Sequence, residues 1–343
     1  MHYTHSKIKP IQIIIMETGD KNIIYTYVPP EIDWLHNKDF YLIDLYSLCV
    51  SVKLFKSKFK YKSIKLYTNL EIMEFFKGTE YFDELIDISN CYNVIEKQDT
   101  GFSHKNVMFK IFVAGEQVEP FIHMDHDLFI NNDNVFDKVD KNILFSFKEP
   151  ACSPYGNQST NPYSFYVKIF SDVCKVINDD MLDNFNPLMA YNCSIFGCNN
   201  DELILSFQKT KKFLLRNYKK LNKIKDLPTV LEQFIQINYL LDNHKFEDLF
   251  VFGDIIKMGR TGVSEIDNAI HSSFDMDSSS LHLNVYNEVV KHFKKSDIVH
   301  LSNYRWNSHY RILLVNLLKQ LDEDMSTKIE STYGSYKWNT FNF

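Results

Sequence analysis

The chain has 343 residues, 38 basic against 44 acidic side chains for a net charge of -6, and a composition that is 45% hydrophobic and 24% charged. Such usage excludes a disordered or collagen-like chain, and the acidic balance argues against nucleic-acid binding, which leaves a basic footprint. Glycine is scarce, with 10 residues beside 28 Phe and 20 Tyr; no GxGxxG or GxxxxGK[ST] occurs, so any phosphate ligand must be held by another device.

The elements follow in chain order. Ile11 to Met16 is β-branched and is followed by the turn Gly19-Asp20, which predicts a first buried strand. Apolar residues at helical spacing predict a helix from Phe40 to Phe55, and Ser63 to Tyr67 reads as a strand. Thr68-Asn69 then opens a short helix, Leu70 to Lys77, closed by Gly78. Ile86 to Ile88 and Val94-Ile95 carry weaker strand patterns, and Ser103 is positioned to cap a helix from Lys105 to about Gly115. Pro120 to Met124 is another strand. Strands alternating with helices in this way predict an α/β fold with a mainly parallel central sheet flanked by helices.

Past Asp127 the expected elements are a strand over Asn142 to Phe147, a polar loop from Glu149 to Pro162 long enough to be a lid or binding loop, and a helix over Tyr163 to Ile177. A strand over Met189 to Phe196 ends at Gly197, and helices follow over Asp201 to Tyr218 and, after the breaker Pro228, Val230 to Leu241. The last third offers strands at Leu249 to Phe252 and Ile298 to His300 and a helix from about His309 to Leu321, a more helical C-terminal part. No internal repeat and no flexible linker divides the chain. Lys209 to Lys225 is strongly basic and reads either as the solvated face of an amphipathic helix or as a contact for an acidic substrate or a membrane surface. The six cysteines form no CxxC pair and read as reduced thiols. With no apolar stretch of about 18 residues, a cytoplasmic protein with no integral membrane segment is expected, any membrane contact being peripheral.

Chemistry concentrates in Pro120-Phe-Ile-His-Met-Asp-His-Asp-Leu-Phe-Ile130, where an apolar strand runs into two aspartates two residues apart. In extended backbone, residues i and i+2 share a face, so Asp125 and Asp127 can point at one ion. Hard oxygen ligands select Mn²⁺ or Mg²⁺, and such an ion can hold a diphosphate without a glycine loop. The competing reading is a structural turn. Asp275-Met-Asp277 and Asp322-Glu-Asp324 have the same spacing, but a Ser-rich loop and a helix end account for them by solvation.

At this point the chain resembles the metal-dependent, DxD-type glycosyltransferases of the GT-A fold, over roughly residues 10 to 310. Lys110 precedes the Asp pair on a helix. Tyr191-Asn-Cys-Ser-Ile-Phe-Gly197 is similar to the family's second sheet segment, with Ser194 where glycine is usual. Val230-Leu-Glu-Gln-Phe234 is similar to its acceptor-side helix, and Ile298-Val-His-Leu-Ser-Asn-Tyr-Arg305 to the C-terminal stretch that completes the metal shell.

The resemblance implies transfer of a sugar from a nucleotide-sugar donor, UDP-sugar by default, to a glycan, lipid-linked glycan or protein acceptor, in a bacterial cytoplasmic setting. It implies Asp125, Asp127 and His300 as ligands of Mn²⁺ or Mg²⁺, with Lys110 and Arg305 on the donor phosphates. Thr18, Thr68 and Asn69 would then meet the nucleoside at the strand ends, and Asn192 a sugar hydroxyl. If configuration inverts, Glu232 is the first candidate for the base and Glu149 the second. Residues 1–200 would form the nucleotide-sugar core and 201–343 the acceptor side, packed on the same core. Gly19 and Gly197 are expected to lie near the donor, with close backbone approach or positive φ. Two alternatives stay open: a metal-dependent hydrolase using His123, Asp125 and His126, and a catalytically silent nucleotide-sugar-binding protein.

Overall fold

Four short strands between Asn22 and Met124 build a sheet that helices cover on both faces. The computed structural model describes residues 20–29, 38–91, 105–136, 143–150, 164–178, 182, 189–199, 201–221, 223–224, 227–235, 249–251, 256–257, 287, 289–291, 293–301 and 308–334. In order, the elements are β1 (Asn22–Tyr27), α1 (Lys38–Lys58), β2 (Ser63–Thr68), α2 (Leu70–Phe76), β3 (Glu84–Asp87), α3 (Lys105–Ala114), β4 (Phe121–Met124) and β5 (Leu128–Ile130). There follow β6 (Ile143–Pro150), α4 (Ser164–Val176), β7 (Met189–Cys198), α5 (Asp201–Leu221) and α6 (Leu227–Val230), which runs into a π-helical turn at Leu231–Ile235. The chain continues with β8 (Leu249–Val251), β9 (Ile256–Lys257), β10 (Ile298–His300), α7 (Ser308–Leu321) and α8 (Glu323–Tyr333).

The main sheet has the order β3-β2-β1-β4-β7-β6-β8. β1, β2, β3 and β4 are parallel, β7 is antiparallel to both neighbours, and β6 pairs parallel with β8. Six of the seven strands therefore run one way, as a mainly parallel α/β sheet requires. A second sheet, β5-β10-β9, packs alongside. Side-chain parity divides the core. Ile23, Tyr25, Ile122 and Met124 join the layer with α1, α2, α7 and α8, whereas Ile24, Phe121 and Phe196 join the layer with α3, α4 and α5.

Differences from the sequence reading have local causes. The expected strand at Ile11 to Met16 lies outside the described residues, as do Val94-Ile95, Ser103, Gly19 and Asp275 to Asp277. β1 was not anticipated, because Asn22 and Thr26 break its apolar pattern; both are engaged, Asn22 Nδ2 donating to Glu119 at 3.0 Å and Thr26 Oγ1 lying 3.0 Å from His123 Nε2. Pro228 is not a breaker ahead of a helix but sits in the first turn of α6, where no N–H is needed. Asp322 is no solvated helix end. It caps α8 by accepting from Met325 N at 3.0 Å, and it takes Lys53 Nζ at 2.7 Å and the Tyr81 hydroxyl at 3.1 Å.

Gly197 also differs from expectation. Among the described glycines, positive φ occurs at Gly78 and Gly334, and Gly197 lies inside β7 opposite Ile122. Its lack of a side chain serves strand pairing, since a Cβ there would stand 2.2 Å from the Phe121 carbonyl oxygen. Gly197→Ala should therefore cost about 3 kcal/mol by overpacking against backbone. At Gly78 nothing lies within 4 Å of an added Cβ, so Gly78→Ala should cost only the left-handed strain, about 1 kcal/mol. Urea denaturation checks the ranking, and equal midpoints for the two variants would contradict it.

Candidate metal centre

β4 leaves the sheet at the point where the strand order turns from descending to ascending, between β1 and β4. Asp125 thus stands at the carboxyl end of a parallel strand beside the crevice where open α/β sheets take ligands. Its N–H donates across to the Ser194 carbonyl at 2.8 Å, and its own carbonyl accepts from Leu128 N at 3.2 Å, closing a tight turn through His126 and Asp127 into β5. β5 pairs antiparallel with β10, setting His300 opposite Leu128, and Leu301 N donates to the Asp127 carbonyl at 3.0 Å. These backbone bonds bring three side chains together: one ligand atom each from Asp125, Asp127 and His300 lies within 4.8 Å of the others. His300 Nε2 is 3.5 Å from Asp127 Oδ2, and the side chains keep 12 to 17% exposure, enough for a ligand to reach them. Two carboxylates and an imidazole are a fitting donor set for a divalent cation such as Mn²⁺.

Behind the turn stands α1, whose residues 41–52 are buried on every side although Asp44, Ser47 and Ser51 are polar. Spacings of three and four place those three on one stripe. Ser47 Oγ donates to the His126 carbonyl at 2.8 Å and Ser51 Oγ to the Leu128 carbonyl at 2.6 Å, with the Tyr25 hydroxyl 3.2 Å from Ser51. Carbonyls buried in an irregular turn need donors, and here a helix supplies them. Sequence reading missed this support. Its signal was polar residues recurring on an otherwise apolar helix.

Strand parity sends Asp125 to the α3 side of the sheet. There Lys110 Nζ lies 2.6 Å from Asp125 Oδ1 and 2.8 Å from Oδ2, and 3.3 Å from Glu232 Oε1. Burial alone would lower the Lys110 ammonium, but Asp125 and Glu232 outweigh it and hold the group well above the ordinary lysine range. Burial raises Asp125 against the pull of Lys110. Asp127 is opposite in sign: His300 overcomes its burial and holds the carboxyl well below the usual range. Glu232, on the π-helical turn after α6, is pushed up by burial to about 7, with Lys110 pulling back. A π turn adds a residue to the helical register and often re-aims a side chain at a site.

The remaining expected site residues fall into three groups. Asn192 is beside the centre on β7, its Oδ1 accepting from Ser194 N at 2.9 Å, the same residue whose carbonyl holds Asp125. Between these strands β7 advances from Phe196 to Asn192 while β6 advances only from Phe145 to Phe147, an irregularity of the kind found next to functional sites. Thr68 and Asn69 share the carboxyl edge but lie two strands away. Thr68 Oγ1 donates to the Tyr27 carbonyl at 2.5 Å, and Asn69 caps α2 by accepting from Ile72 N at 3.1 Å. Glu149 falls on β6, its backbone paired with Ala190. Thr18 and Arg305 lie outside the described residues. His123 is buried in the core, stacked on Phe196 with ring centroids 4.8 Å apart, and burial lowers its pKa well below the histidine range. His126 turns to the opposite side, with Nε2 4.0 Å from Asp44 Oδ1.

No known family model matches the chain, and no curated protein does. Among solved structures it is similar to mouse xyloside xylosyltransferase 1 in its apo form, at 11% identity and a TM-score of 0.42, over 83% of this chain and 99% of that one. It is also similar to the apo WbbM bifunctional glycosyltransferase, at 10% identity and 0.44, over 94% of this chain and 52% of that one. A third is the apo glycosyltransferase GlyE of Streptococcus pneumoniae TIGR4, at 12% identity and 0.36, over 91% and 62%. The structural likeness is to glycosyltransferases. The chain spans about half the length of the WbbM chain and under two thirds of GlyE.

Two outcomes follow from the charges around Lys110. Lys110→Met leaves Asp125 and Glu232 buried without their cation and should cost roughly 3 to 5 kcal/mol in denaturant unfolding; a cost no larger than that of the exposed Lys77→Met would contradict the pairing. Glu232 holds its proton more tightly when folded, so the stability it contributes is complete below about pH 4.5 and is lost as pH rises through about 7. Glu232→Gln removes that loss. The variant should gain on the natural chain across this window, by roughly 3 kcal/mol at the upper end, and parallel stability curves would refute the shift.

Proposed function

We propose that the protein is a metal-dependent glycosyltransferase that moves a sugar from a nucleotide-sugar donor, a UDP-sugar first of all, to a glycan, lipid-linked glycan or protein acceptor. The convergence of Asp125, Asp127 and His300 at the carboxyl end of β4 carries this reading. These three would hold Mn²⁺ or Mg²⁺, and the bound ion would supply positive charge for the diphosphate leaving group. Each residue of the chain then has a task. Lys110 orients the Asp125 carboxylate through both oxygens and adds fixed positive charge near the donor phosphates, with Arg305 in the same role from the C-terminal stretch.

Thr18 and Asn69 line the nucleoside end, where Thr68, fully buried with its hydroxyl on the Tyr27 carbonyl, braces the strand edge instead of meeting the ligand, and Asn192 meets a sugar hydroxyl. Glu232 is the base for an inverting reaction, because a carboxyl raised to about 7 suits proton removal near neutral pH; Glu149 is the second candidate. Residues 1–200 carry the donor side and 201–343 the acceptor side. The hydrolase alternative needs His123, Asp125 and His126 to converge; His123 Nδ1 lies 4.0 Å from Asp125 Oδ1 while its Nε2 is 3.0 Å from Thr26 Oγ1, but His126 turns away toward Asp44.

Incubation with Mn²⁺ and a panel of nucleotide sugars tests the reading. One donor should raise the melting temperature and be slowly hydrolysed, and Asp125→Asn and Asp127→Asn should each lower that turnover about a hundredfold or more. A donor that binds without turnover would identify the silent binding protein. If no donor stabilises the chain and the two variants change nothing, the proposal fails.

A further inference from the structure

The outer face of α5 has a charge distribution unlike the rest of the molecule. From Leu203 to Lys225 there are eight basic residues and no acidic one, while the other 320 residues hold 30 basic and 44 acidic. Phe207, Phe213, Leu214, Tyr218 and Leu221 are buried against the sheet layer, which turns the opposite side of the helix outward. Lys209, Lys212, Arg216, Lys219 and Lys220 are exposed there, with Lys223 just beyond the helix end. Positions 205, 209, 212, 216 and 219 are spaced by three or four residues, so they form one stripe about 20 Å long. Lys211 is engaged with Glu116 and is set apart from that stripe.

Exposed apolar side chains stand among these cations. Leu205 heads the stripe at 55% exposure and Leu215 flanks it at 46%. Val118, 78% exposed, lies in the loop after α3, next to Gln117, whose carbonyl accepts from Gln208 Nε2 of α5 at 3.1 Å. A merely solvated face accounts for the lysines but gives no reason for leucine and valine beside them. A polybasic strip studded with short apolar side chains matches the interfacial zone of a bilayer, where anionic headgroups attract the cations and apolar tips reach the acyl boundary.

We propose that this face of α5 docks on an anionic phospholipid surface. The core already occupies the helix's own apolar side, and no helix among the described residues is long and apolar enough to cross a membrane, so the attachment is peripheral and reversible. α5 leaves the sheet where Cys198 pairs with Phe121 at the start of β4, and the chain returns to the candidate site at Glu232, eleven residues after Leu221. The docking face therefore belongs to the layer that carries Lys110 and Glu232. This inference stands independently of the sugar-transfer reading.

Co-sedimentation of the full chain with phosphatidylcholine vesicles, with and without about one third phosphatidylglycerol, tests the proposal at salt below and above about 0.1 M, where the Debye length is about 10 Å. Binding should require phosphatidylglycerol and weaken with salt. Lys212→Glu with Arg216→Glu and Lys219→Glu should reduce it about tenfold or more, and Leu205→Ser with Leu215→Ser should reduce it several-fold at unchanged charge. All five side chains are exposed, so both variants should melt with the natural chain; if the charge reversal lowers the melting point, Lys212→Gln with Lys219→Gln takes its place. Absence of binding to phosphatidylglycerol vesicles at low salt, or binding unchanged by the charge variant, overturns the proposal. So does binding unchanged by the leucine variant, which would make the face a general polyanion surface.

Discussion

A carboxylate at the end of a buried strand has to be matched by positive charge, and the arrangement around Asp125 follows from that requirement. Removing it from water is costly unless cations or donors compensate. Lys110 answers on one side with contacts to both oxygens, and its ammonium is then shared with Glu232. On the other side Asp127 and His300 close a cluster in which a divalent cation would complete the balance. The backbone is bound just as tightly: β7 holds Asp125, β10 holds Asp127, and α1 holds the two carbonyls between and beyond them. A site built on strand ends and braced by a buried helix keeps its ligands in place without relying on loop order.

Much of this was legible in the sequence where pattern and chemistry coincide. The DxD pair, the strand at Ile298 to His300 and the helix of α3 each have a local signature, and the structure brings Asp125, Asp127 and His300 together. What escaped depends on contacts between distant segments. β1 is hidden because Asn22 and Thr26 find partners on other elements, and α8 is hidden because Asp322 looks like a solvent-facing acid until Lys53 and Tyr81 are brought to it. Lys110 reads as a donor-phosphate contact in sequence and meets two carboxylates in space. Glu232 is singled out in sequence only through the family resemblance, and its burial beside Lys110 adds a physical reason that no local pattern carries.

Scarcity of glycine takes on a specific meaning in this fold. Positive charge and carboxylates can replace a glycine-rich phosphate loop, whereas the tight approach of β7 to β4 cannot do without Gly197. That approach is part of the site, because the same strand pair places the Ser194 carbonyl on the Asp125 amide. Packing of the sheet and geometry of the candidate centre are thus one problem. A substitution that spreads β4 from β7 would loosen the metal turn even though it touches no ligand.

The most direct test of the central claim is pulsed electron paramagnetic resonance of Mn²⁺ added to the protein with UDP. The account predicts a nitrogen coupling from one imidazole, which disappears in His300→Ala and persists in His126→Ala. Mn²⁺ bound with no nitrogen coupling, or a coupling lost in His126→Ala instead, would contradict it.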